Sequence, residues 1–339
     1  MILQLKKDVS YEEAFAFMQK MTWMGFRVEL VENPGYYSLV LLQGIGSEVD
    51  LESFSDFAIV EKQVKYQQPY KLLAREVKPD GTVIHVKGTS IGGSELTIMA
   101  GPCAIESREQ IMNVAEFLSR TGATILRGGA FKPRSSPYSF QGLGEEGLSY
   151  LQEAGERYKL PTISEVMDLS QVELLSKYVD ILQVGTRNMQ NFSLLKKLGE
   201  VGNPVMLKRG FAATYQEFLM AAEYIASHGN PNIILCERGI RSYESHSRNT
   251  LDLAAVPILQ ELTHLPVIVD PSHGTGLRRM VLPMARAGVA AGASGIMVEV
   301  HPNPDQSVSD ASQTIGYPAY EELMDTLRVI APVVQKRVA

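Results

Sequence analysis

From residue 96 onward, short β-rich apolar runs alternate with amphipathic helical stretches, and this alternation limits the possible folds more than any other feature of the chain. The runs are LTIMA (96–100), ATILRGG (123–129), LPTISEV (160–166), DILQVG (180–185), NPVMLKRG (203–210), NIILCERG (232–239), LPVIVDPSH (265–273) and SGIMVEVHP (294–302). Helical patterns lie between them, among them 108–120, 145–158, 214–227, 252–262 and 278–291. Eight β-then-α units in about 240 residues predict a (β/α)8 barrel. An open doubly wound sheet is the alternative, but no G-x-G-x-x-G follows the first strand. The segment TVIHVKGTSIGGSE (82–95) fits a hairpin at the bottom of the barrel.

The first 66 residues have a different texture. MILQLK reads as a strand. Residues 11–24 read as a helix capped by Ser10, with Ala14, Phe15, Met18 and Met21 at helical spacing. FRVELVE and YYSLVLLQG read as strands joined by the turn signal NPG, VDLESFSD as a short helix and FAIVEKQVKY as a last strand. The order β-α-β-β-α-β predicts a small ferredoxin-like α+β domain over 1–66. A linker and the hairpin then occupy 67–95, and the barrel 96–339.

Of the 339 residues 45% are hydrophobic, enough for a sizeable core. No apolar run approaches the length of a membrane span, and the N-terminus lacks a signal-peptide pattern. Two cysteines cannot build a disulfide framework. A cytoplasmic protein is expected, with no membrane partner. The formal net charge of −6 argues against nucleic acid but leaves room for a local basic pocket.

In a barrel of this type the chemistry sits at the C-terminal ends of the strands. Arg127, Lys132 and Arg134 follow strand two, Arg187 strand four, Lys208 and Arg209 strand five, and Glu237, Arg238 and Arg241 strand six. Cations converging on one mouth of a net acidic protein suit phosphate and carboxylate groups. Cys103 follows strand one, Asp270 and His273 strand seven, and Glu299, His301, Asp305 and Asp310 strand eight. Closure makes strands one, seven and eight neighbours, so Cys103, His273, Glu299 and Asp310 can meet. Sulfur, imidazole and two carboxylates suit a divalent ion of manganese, iron, cobalt or zinc. Duller readings stand beside this one. Cys103 could fill space as a small hydrophobe, His273 could cap a turn, Glu299 could pair with an arginine, and Asp310 could be a loop acid.

Taken together, GPCAIES, LRGGAFKPRSSPYSFQGLG, QVGTRNMQNF, LKRG, ILCERGIR, VDPSHGTG and VEVHPNPDQSVSD resemble the 3-deoxy-D-arabino-heptulosonate 7-phosphate synthase family. The type I subfamily with an N-terminal, ferredoxin-like (ACT-like) amino-acid-sensing domain is the nearest match. The resemblance covers 70–339 strongly and 1–65 loosely. It implies a metal-dependent barrel enzyme that condenses phosphoenolpyruvate with erythrose 4-phosphate at the start of aromatic amino acid biosynthesis. It also implies metal ligation by Cys103, His273, Glu299 and Asp310, and binding of phosphoenolpyruvate by Arg127, Lys132, Arg187, Lys208 and Arg238. Arg127 and Lys208 would face its carboxylate, and Arg187 and Arg238 its phosphate. The KPRT loop of the family is KPRS here, which gives Arg134 and Ser135 the sugar phosphate. GTRN stands for the more familiar GARN, so Thr186 would meet phosphate through its backbone N–H. Lys132, His273 and Asp270 are the catalytic candidates. Tyrosine or phenylalanine is the implied effector, and a homotetramer the implied assembly.

Three rivals remain. The sister enzyme 3-deoxy-D-manno-octulosonate 8-phosphate synthase takes arabinose 5-phosphate, but carries an ANRSS-like loop where this chain has KPRSSP. A Schiff-base aldolase built on Lys208 leaves the candidate metal ligands and the arginines unexplained. A catalytically silent amino-acid sensor would have no need of the metal quartet.

Overall fold

The N-terminal strands β1 (Ile2–Leu5), β2 (Arg27–Asn33), β3 (Tyr36–Gln43) and β4 (Val60–Val64) form an antiparallel sheet of order β2-β3-β1-β4. This strand order is the one expected of a ferredoxin-like domain. This is a computed structural model, and it describes residues 1–43, 54, 57–65, 68–132, 138 and 140–338. Helix α1 (Tyr11–Trp23) starts in a capping box: the Ser10 hydroxyl accepts the Glu13 N–H and the Glu13 carboxylate accepts the Ser10 N–H. Its buried face is Ala14, Phe17 and Met21, packed on Leu3, Leu5, Val28, Leu39 and Leu41. Phe15 was expected on this face, but it lies about 100° round the helix from Ala14. It stacks on Tyr11 at the surface instead. The expected second helix, VDLESFSD, lies outside the described residues except for Phe54, which is buried in the same core.

The chain divides into two compact units, Met1–Gly81 with Glu261–His264, and Thr82–Gln260 with Leu265–Ala339. In the first, Thr263 donates its hydroxyl to the Leu73 carbonyl at 2.5 Å and His264 bonds the Leu72 carbonyl.

The second unit opens with the antiparallel hairpin β5 (Ile84–Val86) and β6 (Thr89–Ile91). Eight parallel strands follow: β7 (Thr97–Gly101), β8 (Ile125–Arg127), β9 (Thr162–Val166), β10 (Ile181–Val184), β11 (Val205–Lys208), β12 (Ile233–Glu237), β13 (Val267–Val269) and β14 (Gly295–Glu299). They close into a barrel through the pairing of β14 with β7. Around them run α2 (Arg108–Thr121), α3 (Glu145–Tyr158), α4 (Val172–Tyr178), α5 (Phe192–Gly199), α6 (Tyr215–Ala226), α7 (Ala255–Leu262), α8 (Pro271–Thr275), α9 (Arg278–Ala290) and α10 (Tyr317–Ile330).

Inside the barrel, Met99, Ile125, Ile163, Ile181, Met206, Ile234, Ile268 and Met297 cluster with Ile84, Val86 and Ile91 of the hairpin. The hairpin therefore fills the N-terminal end of the barrel. Strand side chains alternate in direction, so the next inward position lies two residues on. Those positions are Gly101, Arg127, Glu165, Gln183, Lys208, Asp270 and Glu299, with Cys236 at the same level packed into the apolar cluster. One apolar layer supports one polar layer, and the polar layer faces the C-terminal mouth. Gly101 is obligatory: its φ is +150°, and a Cβ there would lie 2.0 Å from the Arg127 carbonyl oxygen.

Candidate active site

The polar layer is buried yet charged, so each ion in it needs a partner. Arg127 donates to Glu299 Oε1 at 2.6 Å, and both side chains are almost wholly buried. Gln313 donates its amide to the other oxygen, Glu299 Oε2, at 2.7 Å. Burial opposes ionisation of Glu299, but His273, Arg127 and Lys132 outweigh it and hold the carboxyl at about 2. Asp270 is fully buried as well. Its Oδ2 accepts from Lys208 Nζ at 2.6 Å and lies 2.8 Å from His273 Nδ1, while its Oδ1 accepts the His273 N–H. Burial again opposes the charge, and His273 and Lys208 overcome it, so the Asp270 carboxyl falls well below its ordinary range. Asp270 thus holds the His273 ring through Nδ1, and Nε2 of the same ring lies 3.5 Å from Glu299 Oε1.

Cys103 lies two residues past β7. Its sulfur is 3.2 Å from Asp310 Oδ2 and 3.0 Å from the Ser309 hydroxyl. Lys132 Nζ donates to the Cys103 carbonyl at 3.0 Å and reaches its sulfur at 3.2 Å. Donor atoms of Cys103, Glu299 and Asp310 all lie within 4.8 Å of one another. Three of the four expected residues are thus close together, and His273 Nε2 lies 3.5 Å from one of them, Glu299. Burial and the neighbouring Glu299 push the Cys103 thiol up to about 12, against the pull of Lys132. Three acidic donors crowded this closely favour a cation between them, and a metal ion would reverse the shift on the thiol. Cys236 is different. It is buried in the barrel core, and burial raises its thiol further.

Beside this cluster a cavity of about 200 Å³ is lined by Arg127, Lys132, Arg187, Lys208, Arg238 and Arg248, with Thr186, Phe211, His273 and Asp310. Arg238 is 3% exposed, and its guanidinium lies 4.9 Å from the centre of the Phe211 ring. Its Nε finds no hydrogen-bond acceptor among the described residues. A buried guanidinium with a spare donor suits an anion. Arg209 stands behind this wall, bonded to Glu237 and Asp252 at 2.9 and 2.8 Å. It is thereby occupied within the protein.

Arg134 and Ser135 lie outside the described residues. Glu165 and Gln183 line the cavity but were absent from the strand-end set. Their signal was the register itself, two residues beyond the inward Ile163 and Ile181. Arg248 and Gln313 had no such signal, because both come from loops.

A model of the DAHP synthetase I family matches residues 74–335. The chain belongs to this family. Phospho-2-dehydro-3-deoxyheptonate aldolase of Thermotoga maritima is 50% identical over 280 residues, 83% of each chain. A crystal structure of the DAHP synthase of that organism superposes with a TM-score of 0.80 at 43% identity, covering 100% of this chain and 99% of that one. A 2-dehydro-3-deoxyphosphooctonate aldolase of Syntrophobacter fumaroxidans is 32% identical, covering 72% of this chain and 92% of that protein. The barrel is thus that of a DAHP synthase family enzyme.

The depressed Glu299 carboxyl gives a pH prediction. Its folded value of about 2 lies below the ordinary 4.5, so the ionised group stabilises the fold above pH 4.5 and the contribution is lost as pH falls toward 2. In chelator, Glu299→Gln should reduce proton uptake on unfolding by about one proton in that window. This is read from the slope of stability against pH; an unchanged slope would contradict the assignment.

Proposed function

We propose that this chain joins phosphoenolpyruvate to erythrose 4-phosphate, with water, to give 3-deoxy-D-arabino-heptulosonate 7-phosphate and inorganic phosphate. The observation that carries the reading is the cation-lined cavity directly beside a thiol, imidazole and carboxylate cluster, in a member of the DAHP synthetase I family. The 50% identity to a heptonate aldolase, against 32% to a phosphooctonate aldolase, favours the four-carbon acceptor.

In this reading Arg127 and Lys208 meet the carboxylate of phosphoenolpyruvate, and Arg187 and Arg238 hold its phosphate. Arg134 and Ser135 hold the sugar phosphate. The cluster of Cys103, His273, Glu299 and Asp310 suits a divalent ion of manganese, iron, cobalt or zinc, because its donors are mixed and close. When bound, such an ion supplies Lewis acidity to the aldehyde oxygen. C3 of phosphoenolpyruvate attacks the aldehyde carbon while a proton reaches the aldehyde oxygen. Lys132, held against Cys103, is the candidate donor. Water adds at C2 and gives up a proton; the C2–O bond to phosphate then breaks as the new C2 hydroxyl passes its proton to the leaving phosphate and becomes the ketone. The cations hold two mutually repelling anions in attack geometry. Asp270 acts by fixing His273 and Lys208.

Residues 1–66 are proposed to sense tyrosine or phenylalanine. The ferredoxin-like sheet order supports this, as does the lack of any of the candidate catalytic residues in this region. An effector shared between two such domains requires a homo-oligomer, and a homotetramer in the cytoplasm fits the family. To act, the effector must bind the inhibited arrangement more tightly than the active one.

Phosphate release should require both substrates and run faster with erythrose 4-phosphate than with arabinose 5-phosphate; the opposite preference would point to the sister enzyme. Cys103→Ala should abolish metal-dependent turnover while the far-UV spectrum is kept, whereas Cys236→Ala should keep most activity. Full activity of Cys103→Ala in chelator would overturn the metal reading. A chain shortened to begin at Leu73 keeps the Leu73–Thr263 contact, and should turn over but lose feedback inhibition. Undiminished inhibition of the shortened chain would place the effector site in the barrel.

A further inference from the structure

Of the four candidate ligands, Asp310 has the least obvious support. It lies in the long connection between β14 and α10, where the regular structure among the described residues is one 3-10 turn, Pro304–Gln306. Val308, two residues before it, is 51% exposed, so apolar burial does not anchor this stretch. Asp310 has a φ of +53°, a conformation that few side-chain-bearing residues adopt without support from their surroundings.

The Asp310 carbonyl accepts the Thr314 hydroxyl at 3.0 Å and Arg248 lies 3.5 Å from its carboxylate, and further support for the stretch before it comes from the loop that carries Cys103. Glu106 Oε1 accepts the Val308 N–H at 3.0 Å and lies 3.4 Å from the Ser307 hydroxyl. Its other oxygen, Oε2, lies 3.4 Å from His301 Nε2. His301 is buried and its Nδ1 accepts the Asn303 N–H at 3.0 Å, while its Nε2 makes no hydrogen bond among the described residues. Within the clamped stretch, the Ser307 hydroxyl donates to the Ser309 carbonyl at 2.8 Å, and the Ser309 hydroxyl lies 3.0 Å from the Cys103 sulfur. A carboxylate accepting a backbone N–H makes a charge-assisted bond, stronger than a neutral one.

We propose that Glu106 is the positioning residue of the ligand cluster: it ties residues 307–308 to the Cys103 loop and so sets Asp310 against Cys103 before any ion arrives. The proposal rests on the metal reading above. If the tie is cut, metal binding must order the loop itself and affinity falls, with Cys103 still able to ligate.

The test is Co²⁺ binding to the full-length protein, with affinity measured by chelator competition and the sulfur-to-cobalt charge-transfer band recorded. Wild type should show a band that Cys103→Ala removes; its absence from wild type would overturn the metal reading and this proposal with it. Glu106→Ala should weaken Co²⁺ binding roughly 10–100-fold while the band persists. Glu106→Gln, which keeps an acceptor for the Val308 N–H, should recover most of the affinity. Because Glu106 acts through Asp310, Glu106→Ala in an Asp310→Ala background should cost no more than about two-fold further. With a Cys103-dependent band in wild type, a Glu106→Ala loss within about two-fold, or the full loss persisting without Asp310, would overturn the clamp alone. Should Glu106→Ala not fold, Glu106→Asp withdraws the carboxylate by one methylene and should show an intermediate loss; unchanged affinity there would count equally against the proposal.

Discussion

The ion pair between Arg127 and Glu299 is the interaction on which the rest of the site depends. A carboxylate at the inner end of β14, with no exposure, costs several kcal/mol to bury unless it is paired and hydrogen-bonded. Arg127 supplies the charge from β8, two strands away. It can do so because the strand between them, β7, presents only Gly101 at that level. Gln313 takes the second oxygen, and His273 stands 3.5 Å from the first. Removing one partner would leave an uncompensated buried charge, an effect of about 3–5 kcal/mol.

From that pair the charges continue in alternation. Glu299 faces His273, His273 is fixed by Asp270, and Asp270 is paired with Lys208. On the other side Lys132 bonds Cys103, and Cys103 meets Asp310. The acids gather where a cation would sit, and the bases line the adjoining cavity. Effective dielectric is lower in such a site than in water, so each of these attractions is stronger there.

Much of this was legible in the sequence because it follows from periodicity. Eight β-then-α units gave the barrel, and the strand ends gave Cys103, Arg127, Lys208, Asp270 and Glu299. Glu165 and Gln183 were equally accessible, as the inward residues after Ile163 and Ile181, but a search of strand ends alone passes over them. Loop residues were not accessible in this way. Asp310 entered only as one of several polar residues after strand eight, and the resemblance singled it out as a ligand, since no periodicity leads from Glu299 to a residue eleven places on. Glu106, Arg248 and Gln313 act through contacts between loops distant in sequence, which only the folded chain reveals. The face of α1 was misplaced by a single residue, Phe15 for Phe17, because both lie in a run of apolar side chains.

Anomalous diffraction from crystals of the full-length protein grown with Mn²⁺ tests the central claim most directly. The account predicts one strong peak within coordination distance of Cys103 Sγ, His273 Nε2, Glu299 and Asp310, with Arg127 still beside Glu299. A peak held only by surface carboxylates, with Cys103 left bonded to Ser309, would contradict it.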